Sequence, residues 1–103
     1  MKRVYVDMVA DLFHIGHINI IKQARKYGNF LIVGVHSDKA VESYKRTPII
    51  KENDRYEMVR QCKLVDLVIE DAPLIITNKF IVDNKIDCVF HGDDTNSEFS
   101  KQH

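Results

Sequence analysis

Four short apolar runs stand out along the chain. They are Arg3 to Val9, with Val4-Tyr5-Val6 and Met8-Val9; Phe30 to Val35, reading Phe-Leu-Ile-Val-Gly-Val; Val65 to Ile69; and Asp87 to Phe90. The second is nearly continuous instead of alternating, the pattern of a strand buried on both faces of a parallel sheet. Between the runs the period changes. Ile18, Ile21, Ala24 and Tyr27 step by three, with Lys22, Gln23, Arg25 and Lys26 on the other face, and Gly28 suits a helix C-terminus. Ser37-Asp38 caps a second helix reaching about Tyr44. Asn53-Asp54 caps a third, with Tyr56, Val59 and Cys62 inward, and Thr77 or Asn78 caps a fourth, with Phe80, Ile81 and Ile86 inward.

The order is therefore strand, helix, strand, helix, helix, strand, helix, strand. Such alternation predicts an α/β fold with a doubly wound parallel sheet. Ligands of these sheets sit beyond the carboxyl ends of the strands, where strand order reverses. Three of the four expected strand ends carry polar residues. Asp11-Leu12-Phe13-His14-Ile15-Gly16-His17 follows the first, His36-Ser37-Asp38 the second, and His91-Gly92-Asp93-Asp94 the fourth.

Composition narrows the partners. A length of 103 residues fits one domain, and 45% apolar with 29% charged residues fits a folded one. Fifteen Lys and Arg balance fifteen Asp and Glu. Nucleic-acid and membrane surfaces call for a basic excess, so neither is expected as a partner and any anion site has to be local. No apolar run approaches the ~18–20 residues of a membrane span. Asp7 and Asp11 interrupt the stretch after Met1-Lys2-Arg3, unlike a signal peptide. Cys62 and Cys88 form no C-x-x-C pair and are expected to be free thiols in a reducing, cytoplasmic setting.

His14-Ile15-Gly16-His17 is the densest chemical signal. Two imidazoles three residues apart, where a loop enters a helix, lie on one side of the first turn. Backbone N–H groups and the positive end of the helix dipole point the same way, so an anion there meets main-chain and side-chain donors together. Gly16 removes a side chain where a base or ribose would approach. The set suits stabilisation of a phosphate in transfer. Two histidines with no third ligand nearby do not make a zinc site, and no protein-held metal is expected.

These residues resemble the cytidylyltransferases of the HxGH nucleotidyltransferase superfamily. Val4-Tyr5-Val6-Asp7 leads into Asp11-Leu12-Phe13-His14-Ile15-Gly16-His17 like the family's G-x-F-D-L-x-H-x-G-H. Leu31 to Asp38 is similar to its second strand and turn. Arg55-Tyr56-Glu57-Met58-Val59 is similar to its R-Y-x-x-V segment, and Cys62-Lys63-Leu64-Val65-Asp66 to its C-x-x-V-D. Ala72-Pro73-Leu74-Ile75-Ile76-Thr77 and His91-Gly92-Asp93-Asp94 resemble the phosphoethanolamine cytidylyltransferases most.

The resemblance implies a Rossmann-like nucleotidyltransferase fold and transfer of CMP from CTP to a phosphorylated amino alcohol, with release of pyrophosphate. Phosphoethanolamine is favoured, with phosphocholine next. The partners it implies are CTP, a phosphomonoester acceptor, Mg2+ arriving with the triphosphate, and a second copy of the chain in a homodimer. His14, His17 and Lys45 become the catalytic candidates. Val9, Ala10, Asp11, Gly16, Arg55, Gly92, Asp93 and Asp94 become the nucleotide-binding candidates. Asp11 either holds the turn or orients an imidazole, a positioning role being favoured over direct catalysis. Arg55 either reaches a phosphate or pairs with Asp54 or Asp93.

The chain also departs from the family. Met8 and Ala10 stand at the glycine and the aromatic of G-x-F-D, and Leu74 stands where a tryptophan is common. The R-T-x-G-x-S-T segment is not among the 103 residues. The expectation is a domain over 1–94 lacking that C-terminal segment, followed by a polar, disordered tail over 95–103. Two alternatives to the favoured activity follow. One is a nucleotide-binding or dimerising module without turnover, and the other is a transferase acting on glycerol 3-phosphate.

Overall fold

A computed structural model describes residues 1–11 and 15–90. Strand β1 spans Arg3–Met8, helix α1 Ile15–Arg25, β2 Phe30–Val35, α2 Asp38–Glu42, α3 Glu52–Arg60, β3 Leu67–Glu70, α4 Asn78–Asp83 and β4 Cys88–Val89. All pairings are parallel, in the order β3-β2-β1-β4. The doubly wound α/β architecture expected from the alternation is the one observed. β1 lies inside the sheet because the chain first grows outward through β2 and β3, then returns past β1 to β4.

Strand alternation sorts the core into two layers. Val4, Val6, Leu31, Val33, Val35, Cys88 and Phe90 pack with Ile21 and Ala24 of α1 and with Tyr56 and Val59 of α3. On the opposite face Tyr5, Ile32, Ile86 and Val89 pack with Phe80 and Ile81 of α4. Five of the six β2 residues are buried, which explains their unbroken apolar run. Ser37 caps α2 by accepting from the Ala40 N–H at 3.1 Å, and Thr77 caps α4 by accepting from the Phe80 N–H at 3.1 Å. Both cysteines are free, Cys88 buried and Cys62 half-buried against the core.

Several boundaries differ from the sequence reading. α1 begins at Ile15 and not at Ile18, because Gly16 and His17 are helical without adding to the apolar stripe. It ends at Arg25, so Tyr27 leaves the helical period. Tyr27 is exposed, with its ring 5.5 Å from that of Phe90. α2 stops at Glu42, short of Tyr44. α3 starts before the expected Asn53-Asp54 cap. Lys51 takes the cap position with no side-chain bond, while Glu52 accepts from the Asp38 N–H at 2.8 Å, a tertiary contact. The expected tail over 95–103 and the end of the expected 1–94 domain lie outside the described residues.

Tyr5 is fully buried, and its hydroxyl is the sole buried side-chain polar atom without a partner among the described residues. A Cβ on Gly34 would collide with that hydroxyl, so the glycine makes its room. Burial, with the nearby Asp7 charge, pushes the phenol far above its ordinary range and keeps it protonated. An unsatisfied buried donor costs about 1–3 kcal/mol. Tyr5→Phe is therefore expected to leave stability unchanged or raise it by about 1 kcal/mol, read as a higher urea midpoint at the same slope. A drop of more than about 1 kcal/mol would mean that the hydroxyl has a partner.

Candidate functional site

At the carboxyl ends of β1 and β2 the structure opens a cleft with two adjoining lobes of about 320 and 260 Å3, which share Val9, His17 and Lys45. Both lobes lie where the doubly wound topology places ligands. His17 comes from the first turn of α1, two residues after Ile15, so the positive end of the helix macrodipole faces the same space. Lys45 comes from the segment after α2. Its side chain is exposed, with Nζ 5.6 Å from the centre of the Tyr44 ring. Arg46 lines the smaller lobe and Tyr44 the larger.

The turn that leaves β1 is tightly built. Ala10 is buried in the left-handed region at φ 59°, a conformation that costs a non-glycine residue on the order of 1 kcal/mol. Asp11 then spans to the lysine segment, its two carboxylate oxygens accepting from the Ile49 and Ile50 N–H groups at 3.0 and 2.9 Å. Asp11 thus holds this turn, one of the two roles expected of it, while His14 lies outside the described residues. Partial desolvation works to raise its pKa. The two amide donors, with the Arg55 and Arg46 charges, outweigh it and hold the carboxyl below its ordinary value of 3.8.

A depressed folded-state pKa adds stability above the ordinary value, and that stability is lost as pH falls through the folded value. Melting temperature should accordingly fall more steeply between pH 5 and pH 3, roughly the carboxylate range, for the wild type than for Asp11→Asn. Parallel profiles would rule out this anchor.

Arg55 corrects the ligand-contact expectation. Its side chain is 0% exposed. Nε donates to the Ile50 carbonyl at 2.9 Å. Nη1 donates to the Val9 and His36 carbonyls at 2.6 and 2.8 Å, and Nη2 to Asp38 Oδ1 at 2.7 Å. The ion pair is with Asp38 and not with Asp54, and the other expected partner, Asp93, lies outside the described residues. The guanidinium ties the ends of β1 and β2 to the start of α3 from beneath the cleft, with no exposed side-chain surface.

Of the remaining candidates, Val9 and His17 line the cleft, and Gly16 sits half-buried in the first turn of α1. His14, Gly92, Asp93 and Asp94 lie outside the described residues. Met8 both lines the larger lobe and packs on the core, and Leu74 is 45% exposed.

The structure adds three residues that were not singled out for the site: Asp7, His36 and Tyr44, all lining the larger lobe. His36 is buried, with Nδ1 3.0 Å from the Ala72 carbonyl and Nε2 3.6 Å from Asp7 Oδ2. Its position directly after the second apolar run was the available signal.

A parallel, doubly wound sheet with histidine, lysine and a helix N-terminus around one cleft defines an α/β protein suited to phosphate-bearing ligands. The model of the cytidylyltransferase-like family matches residues 7–103, and the chain belongs to that family. The chain is 44% identical over 92 residues to an ethanolamine-phosphate cytidylyltransferase of Dictyostelium discoideum, covering 89% of this chain and 26% of that protein. It is 44% identical over 91 residues to choline-phosphate cytidylyltransferase 2 of Arabidopsis thaliana, covering 86% and 30%. The chain thus spans between a quarter and a third of the length of these two curated relatives. Among solved structures, a lipopolysaccharide core biosynthesis protein of Thermoplasma volcanium superposes with a TM-score of 0.82 at 30% identity, covering 99% of this chain and 84% of the other. No helix among the described residues is long and apolar enough to cross a membrane.

Proposed function

We propose that this chain carries the catalytic site of a CTP-dependent cytidylyltransferase that moves CMP to phosphoethanolamine. The observation that carries the reading is the convergence of His17, Lys45 and the α1 N-terminus on one cleft, in a chain of this family. An acceptor phosphate oxygen attacks the α-phosphorus of CTP, the bond to the β-phosphate oxygen breaks, and pyrophosphate leaves. No covalent enzyme intermediate is required, so the protein contributes positioning and charge neutralisation. His17 donates to the reacting phosphate, and Lys45 offers a compact charge on a flexible stem that can follow it. His14 belongs to the same proposal by its place in the motif.

Mg2+ enters the reading with the nucleotide. Asp11 turns both carboxylate oxygens toward the Ile49 and Ile50 amides at the rim of the smaller lobe. The ion would be held mainly by phosphate oxygens and water, as this cation prefers. Bound there, it would neutralise triphosphate charge. A cytoplasmic setting and self-association as a homodimer complete the reading. The exposed Ile75 and Val82 beside and on α4 supply apolar surface for the latter, and sedimentation would measure it.

Incubation with CTP, Mg2+ and phosphoethanolamine should release pyrophosphate and form CDP-ethanolamine. CTP at a hundred times its dissociation constant should stabilise the fold by about 2.7 kcal/mol. The reading fails if neither product nor CTP-dependent stabilisation is seen.

A further inference from the structure

Lys45 stands on a segment that the core does not hold. Residues 42–47 are all exposed, and the Lys45 ammonium makes no hydrogen bond among the described residues. The Tyr44 ring, 5.6 Å from Nζ, belongs to the same segment and cannot anchor it. The segment is held by its ends. At the near end the Lys45 N–H donates to the Val41 carbonyl of α2 at 2.8 Å. The first residue of α2, Asp38, is in turn paired with Arg55 at 2.7 Å. At the far end the Ile50 peptide is gripped from both sides. Its N–H donates to Asp11 Oδ1 at 2.9 Å, and its carbonyl accepts from Arg55 Nε at 2.9 Å. The Ile49 N–H adds a bond to Asp11 Oδ2 at 3.0 Å. One buried guanidinium therefore reaches both ends of the segment, and Asp11 fixes the far end to the turn after β1. Between them Pro48 is buried, with its φ limited by the ring.

We propose that Asp11 and Arg55 are positioning residues for the transfer step, which hold the Ile50 peptide between them and so set where Lys45 stands over the cleft. This rests on the cytidylyltransferase reading and deepens it. A lysine ammonium is a point charge on a flexible four-carbon stem, so its accuracy is that of the backbone beneath it. A misplacement of about 1 Å at a reacting charge can cost on the order of 10²-fold in rate. A loosened segment leaves the α1 N-terminus where it is but presents Lys45 productively for a smaller fraction of the time. The effect therefore falls on kcat more than on nucleotide affinity.

Asp11→Asn keeps the shape of the side chain but replaces one accepting oxygen with an NH2 that faces another N–H. With CTP and phosphoethanolamine, this variant of the full chain should lose about 10- to 100-fold in kcat, while its dissociation constant for CTP stays within about 3-fold of the wild type. In a Lys45→Ala background the same substitution should cost less than about 3-fold, because the group it positions is gone. Nitrogen-15 relaxation of the free protein reads the clamp without turnover. Order parameters at Arg46 and Thr47 should be about 0.85 in the wild type and below about 0.6 in Asp11→Asn. If that variant does not fold, Pro48→Ala loosens the segment without touching either clamp and gives the same readouts. Unchanged kcat, losses that multiply in the Lys45→Ala background, or unchanged order parameters overturn the positioning role and leave the proposed function standing. A wild type that forms no CDP-ethanolamine overturns both.

Discussion

Arg55→Met is expected to lower the stability of the fold by about 3–5 kcal/mol, the range for removing one partner of a buried charged pair. The side chain is fully buried and gives hydrogen bonds to Ile50, Val9, His36 and Asp38. Methionine fills similar space but leaves three carbonyls and a carboxylate without their donor. A domain of this size shifts its melting temperature by roughly 4–8 °C per kcal/mol, so a fall of more than about 12 °C is expected. Arg55→Lys keeps the charge but is expected to recover only part of the loss, since one ammonium cannot reach four acceptors on three segments. CTP binding should weaken along with stability, because Val9 lines both lobes of the cleft and His36 lines one. A methionine variant within about 1 kcal/mol of the wild type would contradict this role.

His17→Ala should behave in the opposite way, with little change in melting temperature and a fall in the rate of pyrophosphate release on the order of 10²–10³. His17 is half-buried at the start of α1 and lines both lobes, so truncating it removes the proposed phosphate donor without opening the core. Lys45→Ala should lower the same rate, and the double variant should cost less than the product of the two because the proposed mechanism has both residues act on one charge. A loss confined to KM, with kcat unchanged, would show that His17 binds the ground state and not the transition state.

The contrast between these two residues shows where sequence reasoning reached and where it stopped. The place of His17 at the cleft was legible because its neighbours are local: a strand end, a glycine and a helix start within a few positions. Arg55 was found as important but assigned two open roles, because the acceptors that settle its place lie up to 46 positions away. The Ser37 and Thr77 caps were legible, since a cap bonds to an N–H three residues on. The start of α3 was not, since Glu52 is engaged with Asp38 across the fold. Tyr27 fitted a helical stripe on paper but falls beyond the last turn of α1.

By itself the sequence determined the element types, their order, the parallel doubly wound class and the strand ends where chemistry belongs. Apolar periodicity and capping are local consequences of backbone geometry, so they survive in one dimension. Only the tertiary structure decided that Arg55 is a buried tie and that Asp11 anchors the lysine segment. It alone brought Asp7 and His36 face to face across neighbouring strands. Those outcomes depend on which distant backbone groups need a donor or acceptor once the sheet has closed over them. That requirement exists only after the chain has folded.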